Sequence, residues 1–282
     1  MNIGIDFGIT NTDLVIENNG TLTFHTFASE NNIDTKLLDT IFSKLDLTNL
    51  EIENIAVTGG KSSNLPESYN SIAITKVNEV FAIGSGAKEI YNIKEDSFVV
   101  VSTGTGTACV SYINGEFHHL GGISFGGGTL QGLSNLLVDT KDSKKIDSMA
   151  FDGDKNTLDI LIGEVVNDIG SLDPDITASN FSKARDLKKF THEDIAASLM
   201  NMTGEVIGTI AYLNALLIGV NKVYFVGRVS LLKSVTSAID KRLELAGVTA
   251  AYIKNREFAN AIGSLSFFCL LYTSPSPRDS SE

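Results

Sequence analysis

The chain has 282 residues, enough for two lobes of ordinary domain size, and its 43% apolar and 20% charged residues are a globular composition. A formal charge of −12, with acids spread along the chain and no basic stripe, excludes a protein that tracks nucleic-acid backbones. No apolar run approaches the roughly 20 residues that span a bilayer, residue 3 onward reads as strand rather than signal peptide, and Cys109 and Cys269 match no metal spacing, which points to a reducing cytosol.

In chain order, Asn2–Phe7 reads as an apolar strand, and Gly8-Ile9-Thr10-Asn11-Thr12 as a turn. A strand through Leu14-Val15-Ile16 follows, then the two-residue hairpin signal Asn19-Gly20 and a return strand from Leu22 to Phe27. A helix over about 34–45, strands at 52–58 and 72–77, and a helix from Glu79 to Tyr91 complete the first half. The opening pattern then recurs: strand Phe98–Ser102, turn Gly104-Thr105-Gly106-Thr107, strand Val110–Tyr112, hairpin Asn114-Gly115, return Glu116–Leu120. Turn glycines 8 and 104 are 96 apart and hairpin glycines 20 and 115 are 95 apart, so the two units are a duplication in register. A helix over 127–138 and a polar stretch to about Lys189 come next. Thr191 and Asp194 open a long helix to Gly219 in the manner of a capping box. Strand 222–226, helix 231–245, strand 249–253 and helix 258–265 close the second half. This order predicts an α/β protein of two related lobes, 1–96 and 97–265, each a mixed sheet flanked by helices, with a cleft between them. From Cys269 to Ser280 the string looks like translated adapter sequence, so 266–282 is set aside as a non-native or disordered tail.

The two glycine-threonine turns carry the chemistry. Such turns present several backbone N–H groups in one direction and add hydroxyls, which suits phosphate oxygens without cationic side chains. Asp6, at the end of its strand beside the first turn, is a natural holder for Mg²⁺. Ser102, Thr105 and Thr107 line the second turn. A third cluster, Gly126-Gly127-Gly128-Thr129-Leu130-Gln131-Gly132, opens a helix whose free amides and dipole favour an anion, or else packs that helix tightly on a sheet. The strand–Gly227–helix junction is placed to face a nucleotide base. The nucleotide candidates are therefore Asp6, Gly8, Thr10, Asn11 and Thr12, then Gly104, Thr105 and Gly106, then Gly127, Gly128, Thr129, Leu130 and Gln131, and Gly227, with ATP and Mg²⁺ as cofactors.

Gly4-Ile5-Asp6-Phe7-Gly8, Val57-Thr58-Gly59-Gly60, Asn78-Glu79, Gly104-Thr105-Gly106-Thr107, Gly121-Gly122-Ile123, Gly126 to Leu133 and Ala261-Ile262-Gly263 stand in the order found in type II pantothenate kinases, which the chain resembles from about Met1 to Leu265. The resemblance implies a duplicated ribonuclease-H-like fold of the actin, sugar-kinase and heat-shock-chaperone ATPase superfamily. It also implies a cytoplasmic homodimer that phosphorylates the terminal hydroxyl of pantothenate, the first step toward coenzyme A. On this alignment Glu79 matches the catalytic carboxylate, and Glu79, Ser102, His119 and Gly122 become acceptor-site candidates.

Three positions depart from the family pattern: Asp13 replaces a Lys, His119 replaces an Arg, and Arg228 stands where a small polar residue is common. Lys61 and Lys76 are candidates to supply the missing charge. The departures keep open a kinase of the same fold acting on another hydroxylated acceptor, such as an amino sugar, and a non-catalytic ATP-binding switch.

Overall fold

The computed structural model describes residues 1–48, 50–167, 173–186 and 189–273, with side chains described as far as Phe268. Strands β1 (Asn2–Phe7), β2 (Asn11–Asn18) and β3 (Thr21–Ala28) form an antiparallel meander. Helix α1 (Thr35–Lys44) follows, capped by the Asp34 side chain, which accepts from the Leu37 N–H. Strands β4 (Asn54–Thr58), β5 (Ser68–Tyr69) and β6 (Ile72–Lys76) complete a six-stranded sheet of order β3-β2-β1-β4-β6-β5, with β1, β4 and β6 parallel. After helix α2 (Glu79–Ile90) the plan repeats in β7 (Phe98–Thr103), β8 (Thr107–Ile113) and β9 (Glu116–Ile123). Asn19 and Gly20, and likewise Asn114 and Gly115, all have positive φ, the geometry of a type I′ hairpin turn that Asn-Gly tolerates.

Helix α3 (Gly127–Val138) leads into the stretch that sequence patterning left without elements. It holds α4 (Ser143–Asp152), the short pair β10 (Ile160–Leu161) and β11 (Thr177–Ser179), and one turn of helix, α5 (Ile162–Val165). Only Ile146 of α4 is buried, so its apolar periodicity is too weak to read as a helix. The long helix α6 (His192–Ile218) starts at the Thr191–Asp194 capping box and ends at Gly219, whose φ of 79° is the left-handed C-cap. Strand β12 (Lys222–Val226), helix α7 (Lys233–Glu244) and β13 (Thr249–Ala251) then close a five-stranded sheet of order β13-β12-β7-β8-β9. Reading each sheet from its meander, 3-2-1-4-6 in the first matches 9-8-7-12-13 in the second.

Pleat alternation assigns the faces. Ile3, Ile5 and Phe7 pack with Leu38, Ile41 and Phe42 of α1, which leaves Gly4 and Asp6 on the other face. Val99 and Val101 pack against α6, and Phe98 and Val100 pack against α2.

The last helix, α8 (Ala259–Thr273), crosses back to the first sheet and lies on β1. A Cβ on Gly4 would come within 2.3 Å of the Ala261 carbonyl oxygen, so only glycine permits this approach. Helix α8 takes in residues 266–273, where Phe268 is buried and the Phe267 ring meets Phe81 at 5.9 Å. The remaining tail residues, 274–282, lie outside the described residues.

Helices α2 and α8 touch at Gly86 and Gly263. A Cβ on Gly86 would sit 1.8 Å from the Ala259 carbonyl oxygen, and one on Gly263 1.9 Å from that of Ala82. Backbone meets backbone at this junction between the halves.

Candidate active site

A cleft of about 1020 Å³ opens between the two sheets, and the turns after β1 and β7 both line it. Gly8, Ile9 and Thr10 come from one wall, Gly104, Thr105 and Gly106 from the other. Among the described residues, the backbone N–H groups of these six residues have no protein acceptor. None of the six lies in a hydrogen-bonded turn, so these amides remain available for a ligand's oxygens. The Thr10 and Thr105 hydroxyls lie 3.0 Å apart across the cleft, joining residues 95 positions apart in sequence.

On the cleft floor, the Asn260 amide at the start of α8 donates to Asp6 Oδ2 at 3.0 Å. Gly59, with a φ of 95°, sits against the same carboxylate, where a Cβ would lie 2.8 Å from Asp6 Oδ1. Burial, then the charge of Asp13, and further down that of Glu79, push the Asp6 carboxyl up to about 7 against the relief that Asn260 gives. A carboxylate so short of positive charge, and without an ion-pair partner among the described residues, fits a hard divalent cation. No group of three or more His, Cys, Asp or Glu converges among the described residues. The fit is therefore to Mg²⁺, which keeps most of its ligands as water and substrate oxygens, rather than to a metal caged by protein.

Glu79 reaches this cleft from the first turn of α2. Asn78 caps that helix, its side-chain oxygen accepting from the Val80 N–H at 2.9 Å, and so fixes where Glu79 emerges. Ser102, His119 and Gly122 line the cleft on the second sheet's side, as do Gly127, Gln131 and Gly227, while Asn11 lines it from β2 of the first sheet. A bulge in β9, between the partners of Cys109 and Val110, re-aims the strand where His119 and Gly122 face the cleft.

Four expected residues do not line it. Thr12 is buried beside Ser29, and Leu130 belongs to the second lobe's core. Gly128 and Thr129 lie behind the second loop, and the supposed free amides of α3 are already used: Gly127 N–H donates to the Gly104 carbonyl at 2.8 Å, Gly128 N–H to that of Thr105 at 2.9 Å. The glycines here serve docking. A Cβ on Gly126 would lie 2.8 Å from the Gly106 carbonyl oxygen, and one on Gly128 2.7 Å from Thr105 Cγ2. The helix thus braces the second loop.

Sequence reasoning missed Asn260 and Glu257, although an amide side chain near the start of the mostly apolar Ala259–Leu265 run was a signal for the first. Glu257 lines the cleft with Oε2 buried and unpaired, and no sequence feature marks it. Two of the three departures, Asp13 and Arg228, resolve together. Arg228, just after β12, crosses to the first sheet and ion-pairs with Asp13 of β2. Thr26 Oγ1 donates to the same Asp13 oxygen at 2.7 Å, and Arg228 Nη2 lies 2.8 Å from that hydroxyl. Lys61 is turned away onto the Asn31 carbonyl, and Lys76 pairs with Glu67.

Paired ribonuclease-H-like sheets, with amide-lined loops meeting over an acidic floor, define an α/β phosphotransferase of the actin-like ATPase and sugar-kinase class. Solved structures of this fold superpose on the chain. The activator of the 2-hydroxyisocaproyl-CoA dehydratase from Clostridium difficile with bound ADPNP has a TM-score of 0.66 at 16% identity, covering 98% of both chains. A ROK family glucokinase from Streptomyces griseus in complex with glucose and AMPPNP gives 0.62 at 13% identity, covering 94% of this chain and 98% of that one.

The chain belongs to the Fumble family, whose profile matches residues 68–265. Its relatives include the type II pantothenate kinase of Bacillus thuringiensis, 30% identical over 261 residues that cover 89% of this chain and 88% of that protein. Another is the type II pantothenate kinase of Staphylococcus aureus, 29% identical over 280 residues, covering 94% and 98%.

Proposed function

We propose that the chain transfers the γ-phosphoryl group of ATP to the terminal hydroxyl of pantothenate, the first step toward coenzyme A. The observation that carries this reading is that both loops, with their unpartnered amides, open onto one cleft that also holds Asp6 and Glu79.

The loop amides and the Thr10 and Thr105 hydroxyls bind the phosphate oxygens, which orients the γ-phosphorus toward the acceptor. Asp6, steadied by Asn260, would hold Mg²⁺, which would offset phosphate charge. Glu79 accepts the hydroxyl proton as the acceptor oxygen forms its bond to the γ-phosphorus. The bond from that phosphorus to its bridging oxygen breaks, and ADP leaves. Ser102, His119 and Gly122 border the acceptor. Gly227 and Gln131 line the same cleft and flank the nucleoside. Among the described residues no helix is long and apolar enough to cross a membrane, and the family resemblance supports a cytoplasmic homodimer.

A coupled ATP-consumption assay with the full chain tests the reading. It predicts Mg²⁺-dependent ADP release with pantothenate and little with amino sugars. Turnover with an amino sugar but not with pantothenate would reassign the acceptor, and nucleotide binding with no turnover on any acceptor would leave a binding protein.

A further inference from the structure

Four cationic side chains line the cleft: Lys141, Lys144, Arg228 and Lys233. The lysines are exposed, whereas Arg228 is half-buried and carried to its place by the backbone. Gly227 has a φ of 87° and no room for a Cβ, which would lie 2.6 Å from the Thr103 carbonyl oxygen, so the direction of residue 228 is set by the turn itself. The guanidinium ends beside Asp13, which pairs directly with Asp6 in the β1–β2 register. It also approaches the Phe258 ring, with 5.8 Å from Cζ to the centroid.

A simple strut between lobes would use its donors. Here Nη2 alone is engaged, with Asp13 and Thr26. Nε is buried with no acceptor, and Nη1 has no hydrogen-bond partner among the described residues. An orphaned, buried N–H on a charged group is costly unless a ligand completes it. Phosphate oxygens suit the donors that Asp13 and Thr26 leave unused, because a guanidinium binds oxygen pairs with a rigid fork. The neighbouring loop amides already make this end of the cleft an anion site.

We propose that Arg228, held in place by Asp13 and Thr26, is the cation that binds the nucleotide's phosphates and couples nucleotide binding to lobe closure. The resemblance to type II pantothenate kinases implies a Lys at position 13, where this chain has Asp. In this chain the positive charge has moved to the opposite lobe, and Asp13 has become its holder. Asp13 is 8% exposed, so the pair is anchored from the first sheet, while the 34% exposed Arg228 keeps access to ligand. The proposal rests on the nucleotide part of the proposed function and is independent of the acceptor.

The test is equilibrium binding of Mg·ATP by calorimetry without pantothenate, with thermal melts of each variant to verify folding. Arg228→Gln is expected to weaken Mg·ATP binding by tenfold or more and to flatten its salt dependence. Arg228→Lys, which keeps the charge but loses the fork, falls between. The charge-relocating double variant Asp13→Lys/Arg228→Ser is expected to bind within about threefold of the parent. Binding by Arg228→Gln within twofold of the parent would overturn the proposal. Should that variant fail to fold, the double variant decides alone, and a loss of tenfold or more in it has the same meaning. A parent that binds no nucleotide would defeat the underlying reading and this proposal with it. A parent that binds nucleotide but leaves pantothenate unmodified would remove only the acceptor.

Discussion

The two halves of the duplicated chain meet one cleft with different equipment. In the first, Asp6 and Asp13 face each other across β1 and β2; the matching pair in the second is Ser102 and Ala108. The first loop spans four residues between Phe7 and Thr12, the second three between Thr103 and Thr107, which is why the repeat offset falls from 96 to 95. The first copy keeps an aspartate pair at the end of its hairpin, and the second has a serine and an alanine there, together with the arginine after β12. Two identical acidic copies would repel a triphosphate, so their divergence in charge is what turns a symmetric shell into a polar site.

The largest effect expected from breaking this division falls on Glu79. Glu79→Gln should lower kcat about 10²-fold or more with ATP affinity nearly unchanged, read by steady-state kinetics. Next is the junction where each half's helix crosses to the other. Gly263→Ala forces a Cβ onto the Ala82 carbonyl and should cost about 1–3 kcal/mol, seen as a lower denaturation midpoint. Making the second half resemble the first, Ser102→Asp, adds a carboxylate to the cleft and should weaken Mg·ATP binding about tenfold in a titration.

The asymmetry also has a pH signature. The Asp6 carboxyl rises from an ordinary aspartate value of 3.8 to about 7 in the folded chain. Between those values the folded state holds a proton that the unfolded state has lost, so metal-free stability falls as pH rises from about 4 through 7 and stays low above. Mg²⁺, which takes the deprotonated form, should raise the melting temperature more at pH 8 than at pH 6, and Asp6→Asn should erase that difference. The smallest effect belongs behind the second loop, where Thr129→Ala should leave the KM for ATP within about twofold.

Much of this was legible because duplication repeats its own signals. Two Asn-Gly hairpins in register fixed both meanders, and the strand-end position of Asp6 marked a carboxylate that lines the cleft. The family likeness pointed to Glu79. Tertiary substitutions stayed hidden. The Gly126–Gly128 run reads as an anion site until its amides are seen donating to Gly104 and Thr105, because sequence cannot tell a free N–H from one used across 23 residues. Arg228 and Asp13 are 215 positions apart, and nothing local links them. Helix α4 was invisible because a single buried residue, Ile146, leaves no period to detect.

Amide hydrogen exchange on the full chain, with and without Mg·ATP, bears most directly on the shared-cleft account. Residues 8–10 and 104–106 should gain protection together and over the same range of nucleotide concentration. Protection of one segment while the other exchanges as before would contradict it.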